Sequence, residues 1–241
     1  MAAVPTLRAS LAREAFLFLH ADAMRSALGP ADALAGWEEF AASWDRLELD
    51  SHMADGGRYR SRRHAVFSST PGGEMLRAPH QPHFQSREYN PLNGGVERWF
   101  EPIDEGVTRS EVLQSVLRLC RALFEPLRPE VKRWKVEVHQ FRIEARADVE
   151  GRPTPEGLHR DGVDYVLVLL IRRVNILSGT TTIHDLEHRE LGSFTLTEPL
   201  DAALVDDARA FHGVTAVHPE DAMKPAFRDV LIVTWKENER C

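Results

Sequence analysis

Two histidines and an aspartate in this 241-residue sequence have the types and the placement to hold a metal ion. His159 and Asp161 stand two residues apart in PTPEGLHRDGVDYVLVLLIRR, at the lip of a continuous apolar segment, and His212 follows in ARAFHGVTAVHP. Alternate side chains of an extended segment point to the same side, so His159 and Asp161 can converge on one ion. A sheet that folds back can bring His212 alongside. Two neutral imidazoles and one carboxylate on one face of an ion leave the opposite positions open, which is the ligand set of non-haem Fe(II) oxygenases. Zinc with a bound water can use the same three groups for hydrolysis, so the ligands alone leave the metal open. Chance supplies roughly one His-x-Asp in a chain of this composition. The second occurrence, His20–Asp22, reads as a helix start with Asp22 as the N-cap.

Arg228 opens the next apolar run, AFRDVLIVTW. A buried guanidinium needs an anion, and its planar fork suits a carboxylate. A dicarboxylate that chelates the metal at one end and meets Arg228 at the other accounts for both features; 2-oxoglutarate is such a molecule. In EVHQFRI, Gln140 and Arg142 share one face of a strand and are expected to line the site. GRYRSRR puts Arg58, Arg60 and Arg62 on one side of an extended stretch, where one of them can take a substrate carboxylate; a solvated charged face is the competing reading.

The elements that must position these residues fall into two textures. Residues 10 to 47 read mainly as helix, with Asp32 as an N-cap before ALAGWEEFAASW, and a second helix runs from about Ser110 to Phe124 on a broad apolar stripe. From Trp134 onward come seven short runs rich in Val, Ile, Thr and Phe, punctuated by Gly, Pro and Asp. They leave no room for crossover helices, which favours an antiparallel sandwich or barrel. The long loop QPHFQSREYNPLNGG has the texture of a segment that covers a site. A net charge of -7 argues against nucleic acid as the main partner, and no apolar run is long enough for a membrane span. Two cysteines, Cys120 and Cys241, make no disulfide framework, so a cytoplasmic setting is expected.

PEGLHRDGVDYV, FHGVTAV and FRDVLIVTW closely resemble the bacterial 2-oxoglutarate/Fe(II) dioxygenases that hydroxylate free amino acids, the group that contains L-isoleucine dioxygenase. The likeness extends to SWDRLELDSHMADGGRYRSRRHAVFS and QPHFQSREYNPLNGGVERWFEPI, and so covers most of the chain from Trp44 to Trp235. The resemblance implies one mainly β domain over 1–241 with flanking helices. Its helical part would span about 1–130, and a double-stranded β-helix (jelly-roll, cupin-like) core about 134–236. It implies Fe(II) on His159, Asp161 and His212, Arg228 on the distal carboxylate of 2-oxoglutarate, and O2 as co-reactant, with succinate, CO2 and a hydroxylated amino acid as products. Some relatives carry Arg-x-Ser where this chain has Arg228-Asp229-Val230, so a second donor to that carboxylate is expected elsewhere, at Thr215 or in GTTTIHD, with Gln140 nearby. The substrate implied is a free L-amino acid with an aliphatic side chain, its charged end held by Arg58, Arg60 or Arg142, on a monomer or homodimer. A polar, cyclic or peptide-bound substrate, a cupin-like metalloenzyme without 2-oxoglutarate, and a non-catalytic β-sandwich are the alternatives.

Overall fold

The computed structural model describes residues 3–238, so Cys241 lies outside the described residues. The elements run α1 (Ala3–Glu14), β1 (Phe16–Leu19), α2 (Ala21–Leu28), α3 (Trp37–Ala42), β2 (Glu48–Leu49), β3 (Arg60–Ser69), β4 (Met75–Arg77), α4 (Glu105–Thr108) and α5 (Glu111–Phe124). There follow β5 (Trp134–Ala145), β6 (Tyr165–Val174), β7 (Ile176–Ser178), β8 (Thr180–His184), β9 (Glu190–Thr195), β10 (Ala202–Asp206), β11 (Phe211–Val214), β12 (Val217–Pro219) and β13 (Ala226–Glu237). Eight strands form the major sheet, in the order β1-β10-β6-β13-β5-β3-β2 with β4 on β3; a minor sheet has the order β11-β8-β9, and β12 pairs with β7. All named strand pairs are antiparallel. This is the mainly β jelly roll with flanking helices that the sequence implied.

Strand alternation decides what each side of the major sheet does. Val136 and Val138 of β5, Leu167 and Leu169 of β6, and Leu231, Val233 and Trp235 of β13 are buried in one apolar cluster with the helices. The neighbouring positions Glu137, His139 and Phe141, Val166 and Val168, and Val230, Ile232 and Thr234 line a cavity on the other face. α5 supplies the cover. Ser110 caps it by accepting from the Leu113 N–H at 3.3 Å, and Val112, Leu113, Val116, Leu117, Leu119, Leu123 and Phe124 are all buried. Trp44 pins the helical layer to the sheet, because its indole N–H donates to the carbonyls of Phe141 (3.1 Å) and Val230 (3.3 Å), where β13 meets a bulge against β6.

Several local expectations are corrected. Ala15, at φ 64, ends α1, and Phe16–Leu19 leaves the helix to pair with β10 as an edge strand. β2, β3 and β4 also belong to the major sheet, so the stretch up to residue 130 is helical only in part. Asp32 lies inside a 3-10 turn whose N-cap is Pro30, and α3 starts after Gly36, whose left-handed φ of 76 sets the entry. Asp22 sits in the first turn of α2 with His20 at the N-cap. The first free N–H there is taken from a distance, Ala21 donating to Asp201 at 3.0 Å. Among the described residues no helix is long and apolar enough to cross a membrane.

Candidate metal centre and cosubstrate pocket

His212 is carried by β11, where it sits opposite Ile183 of β8. Its free backbone edge takes up His159, the two residues exchanging both N–H···O bonds at 2.9 Å. This bridge brings the two imidazoles together, tilted by 55° with ring centres 4.5 Å apart. Asp161 reaches them by a turn, because β6 begins only at Tyr165. Asp207 builds that turn: its carboxylate accepts the N–H groups of Asp161 (2.9 Å), Gly162 (2.8 Å) and Val163 (3.1 Å). Gly162 is required on two grounds, a φ of +76 and a Tyr89 ring that would lie 2.4 Å from any Cβ.

The donors that result fit a divalent metal. His159 Nε2 lies 3.7 Å from one Asp161 oxygen and His212 Nε2 3.6 Å from the other. Bonds of roughly 2.0–2.2 Å to adjacent positions of one ion put donors ~3 Å apart, so a small inward movement closes the set. His159 Nδ1 meets the Gly157 carbonyl at 3.0 Å, which places one proton on Nδ1 and turns Nε2 towards Asp161. Gln85, from the long loop, donates to Asp161 Oδ1 at 3.1 Å and accepts from Asn90 and Arg98 at 3.2 and 2.9 Å. Glu156, partly buried, brings an oxygen to 3.4 Å from His159 Nε2.

Electrostatics point the same way. Burial opposes a charge on His159, but the Asp161 hydrogen bond and charge outweigh it and hold that imidazole up to about 9. Burial and the charge of His159 push His212 down to about 4. Burial works against the Asp161 anion, yet the two imidazoles keep it ionised. Burial and the nearby Asp161 charge raise Asp207 to about 7. The His159 imidazole thus holds a proton against the ionised Asp161 carboxylate that a divalent cation can replace.

Arg228 opens onto the same cavity of about 1270 Å³. It is 3% exposed, its Nε has no partner, and its neighbours across the sheet are Ile143 and Arg173. Burial and the Arg173 charge lower its guanidinium to about 10. A buried cation facing only another cation is the signature of a missing anion. The cavity exceeds the ~300–1,000 Å³ of common small-molecule sites, so it has room for two small ligands.

The sequence pattern of the 2OG-Fe dioxygenase family matches residues 41–234. The chain belongs to this family. Its reaction uses Fe(II), 2-oxoglutarate and O2. The dioxygenase is 28% identical to the 3(1)-hydroxy-L-isoleucine 4-dioxygenase of Pantoea ananatis over 95% of this chain and 94% of that protein. It is 31% identical to the L-isoleucine-4-hydroxylase of Bacillus thuringiensis over 65% of this chain and 66% of the other. Among solved structures, a bsmA homolog from Methylobium petroleophilum PM1 superposes with a TM-score of 0.87 at 36% identity, covering 97% of this chain and 93% of that one.

Other anchors expected for the dioxygenase lie elsewhere. Gln140 and Arg142 occupy the face of β5 that packs on the helices: Gln140 donates to Ser43 Oγ at 2.7 Å, and Arg142 pairs with Asp229 (2.7 Å) and Asp45 (2.9 Å). Neither lines the cavity. Thr215 is exposed and accepts the Thr180 N–H at 2.9 Å, so it serves a turn. Arg58 is exposed and precedes β3. Arg60 does line the cavity, but Asp50 holds it at 2.7 Å. Three residues of the site escaped the sequence reading: Gln85, Glu156 and Asp207. Asp207 had a signal as one of two adjacent aspartates closing the apolar run AALVDD just before His212, and Gln85 only through its place in the loop read as covering a site.

Proposed function

We propose that this dioxygenase hydroxylates a side-chain carbon of a free L-amino acid with an aliphatic side chain. In this reading His159, Asp161 and His212 hold Fe(II), and Arg228 takes the distal carboxylate of 2-oxoglutarate. Bound iron supplies the coupling of 2-oxoglutarate decarboxylation, to succinate and CO2, with insertion of one oxygen atom into a C–H bond. The chain's own residues orient and shield. Gly157 fixes the His159 tautomer, while Asp207 and Gln85 steer the Asp161 carboxylate. Tyr89, packed on Gly162, covers the turn that carries Asp161.

The observation that carries the substrate reading is the apolar part of the cavity. Val166 and Val168 of β6 and Val230 and Ile232 of β13 line the same space as the three donors and Arg228. They offer burial worth ~25 cal/mol per Å² to an aliphatic side chain. The relatives named for L-isoleucine and its hydroxylated form support the same class. A cytoplasmic site of action goes with it. The test is anaerobic loading with Fe(II) and 2-oxoglutarate, then O2 with L-isoleucine, L-leucine, L-methionine, L-lysine, L-citrulline or L-pipecolate. Succinate and a product one oxygen atom heavier are expected with the first three. Turnover confined to the last three would remove the aliphatic reading.

A further inference from the structure

The cavity wall formed by β3 and β5 carries a second set of polar side chains that the iron and 2-oxoglutarate chemistry leaves unused. Arg62, His64, His83, Glu137 and His139 meet there, each less than a tenth exposed. The Arg62 guanidinium lies between two aromatic rings, its central carbon 3.7 Å from the centre of Phe100 and 4.2 Å from that of Phe141. With its faces covered, only its edges can bind. One Nη donates to His139 Nδ1 at 2.8 Å, the other stands 3.8 Å from Asp50, and Nε has no partner. Asp50 is already held by Arg60 at 2.7 Å. Arg98, 2% exposed, likewise gives one Nη to Gln85 and leaves its buried Nε unpartnered.

Charge does not balance on this wall. Three buried guanidiniums, Arg60, Arg62 and Arg98, and the Lys135 ammonium, 2.9 Å from Glu137, face three carboxylates, the buried Asp50 and Glu137 and the partly buried Glu156, whose charge acts on Arg98. Buried excess positive charge calls for an anion. Beside it is an acceptor for a cation. Lys135, His64 (3.3 Å) and His83 (3.4 Å) all approach Oε1 of Glu137, which leaves Oε2 for another donor. His64 has no hydrogen bond on either ring nitrogen although it is wholly buried. Burial holds all three imidazoles below their ordinary range, so they are neutral and offer lone pairs.

We propose that this wall seats the charged end of the substrate, with the α-carboxylate on Arg62 and Arg98 and the α-ammonium on Glu137 and the imidazole of His83, all of which line the cavity, while His64 backs Glu137 from behind. The proposal rests on the reading of the dioxygenase as a free amino acid hydroxylase, and it adds what makes the substrate free: both charges must be present. Arg98 also bonds Gln85, which bonds Asp161, so two side chains link the carboxylate to a candidate iron ligand. His64, His83, Glu137 and His139 stand close enough to hold a metal ion themselves. However, Arg62 occupies a ring nitrogen of His139, and Lys135 and Arg98 add positive charge. A zwitterion fits where a second cation is repelled.

The test uses the amino acid of the panel that the wild-type enzyme turns over best, with its N-acetyl and carboxamide derivatives. Each is titrated calorimetrically into anaerobic protein loaded with Fe(II) and 2-oxoglutarate. Removing either charge should weaken binding by about 30-fold or more, since each leaves a buried charge unmatched. Glu137→Gln should abolish the penalty for N-acetylation and keep that for amidation; Arg62→Met should do the reverse, and both should bind 2-oxoglutarate as wild type does. Metal analysis should give one equivalent per chain. Wild-type protein that binds either derivative as tightly as the free amino acid overturns the proposal, and this arm decides even where a variant does not fold. Variants that keep both penalties, or a second metal equivalent per chain, overturn it too. If the wild type hydroxylates no amino acid of the panel, the substrate reading itself falls, and the seat with it.

Discussion

Replacing Arg228 by Met should make the protein without cosubstrate more stable and at the same time blind to 2-oxoglutarate. The guanidinium is 3% exposed, and the one charge acting on it is the like charge of Arg173. Burial and that charge bring it from 12.5 to about 10, which corresponds to ~3 kcal/mol held against the charged form at ~1.4 kcal/mol per pH unit. The sign follows from the depression of a base. The penalty is present in full at every pH below about 10 and relaxes only as the pH rises through that value, so a measurement at neutral pH reads all of it. Methionine keeps much of the volume and removes the charge. Allowing for lost packing, a gain of roughly 1–3 kcal/mol is expected, or about 3–10 °C in the unfolding midpoint. In the wild type, saturating 2-oxoglutarate should repay the penalty: a hundredfold excess over Kd stabilises by ~2.7 kcal/mol. The assay is thermal unfolding followed by circular dichroism with Mn(II) in place of iron, with and without 2-oxoglutarate, beside a calorimetric Kd. Arg228→Met should lose ~2–5 kcal/mol of 2-oxoglutarate affinity, and Arg228→Lys should recover part of it without the bidentate fork. A Met variant less stable than wild type and equally stabilised by 2-oxoglutarate would show that Arg228 is held by partners of its own.

His159→Ala, Asp161→Ala and His212→Ala should each abolish stoichiometric Fe(II) binding and succinate formation with the far-ultraviolet spectrum unchanged; full activity of the His212 variant would remove it from the ligand set. Asp207→Asn puts an NH2 donor in place of one of the two oxygens that accept three N–H groups, so a cost of ~1–3 kcal/mol in stability and ~10–100-fold in metal affinity is expected from denaturant unfolding and metal titration. His64 is buried neutral, with burial holding it down to about 4. The unfolded chain therefore binds more protons as the pH falls from about 6.5 to 4, stability drops across that window, and His64→Gln should flatten the drop in acid-unfolding curves. Gly162→Ala must place a methyl group against Tyr89 at positive φ, so it should depress turnover far more than it lowers the unfolding midpoint.

The three candidate ligands and Arg228 were legible because they sit at fixed places on short strands, and the antiparallel pattern of those strands was plain from Trp134 onward. α5 was legible for a similar reason, its apolar stripe matching one helix face. What was not legible was which face of β5 turns inward. Alternation correctly put Gln140 and Arg142 together, but their partners, Ser43, Asp45 and Asp229, lie 87 to 97 residues away in sequence. A polar pair on a buried strand looks the same whether it faces a cavity or a helix carrying its counter-charges. β1 was hidden because FLFL has no helix breaker before it; the left-handed turn falls on an alanine. The Asp161 turn was hidden because its acceptor, Asp207, comes from another strand end, and Gln85 because loop residues show no periodicity at all.

The order of strands in the major sheet has a consequence for how the protein comes into being. β13 lies between β5 and β6, with twelve residues in register with β5, yet it follows both in the chain. As the polypeptide emerges from the ribosome, β5 and β6 must wait apart, their edges unpaired, until residues 226–237 have been made. Pairing of this range is slow because the loops it closes are long, and edges left open meanwhile invite the wrong neighbours. Since β13 also carries Arg228, the strand that completes the sheet completes the pocket proposed for 2-oxoglutarate, so a nascent or truncated chain lacking it is expected to have neither a closed barrel nor a grip on that cosubstrate.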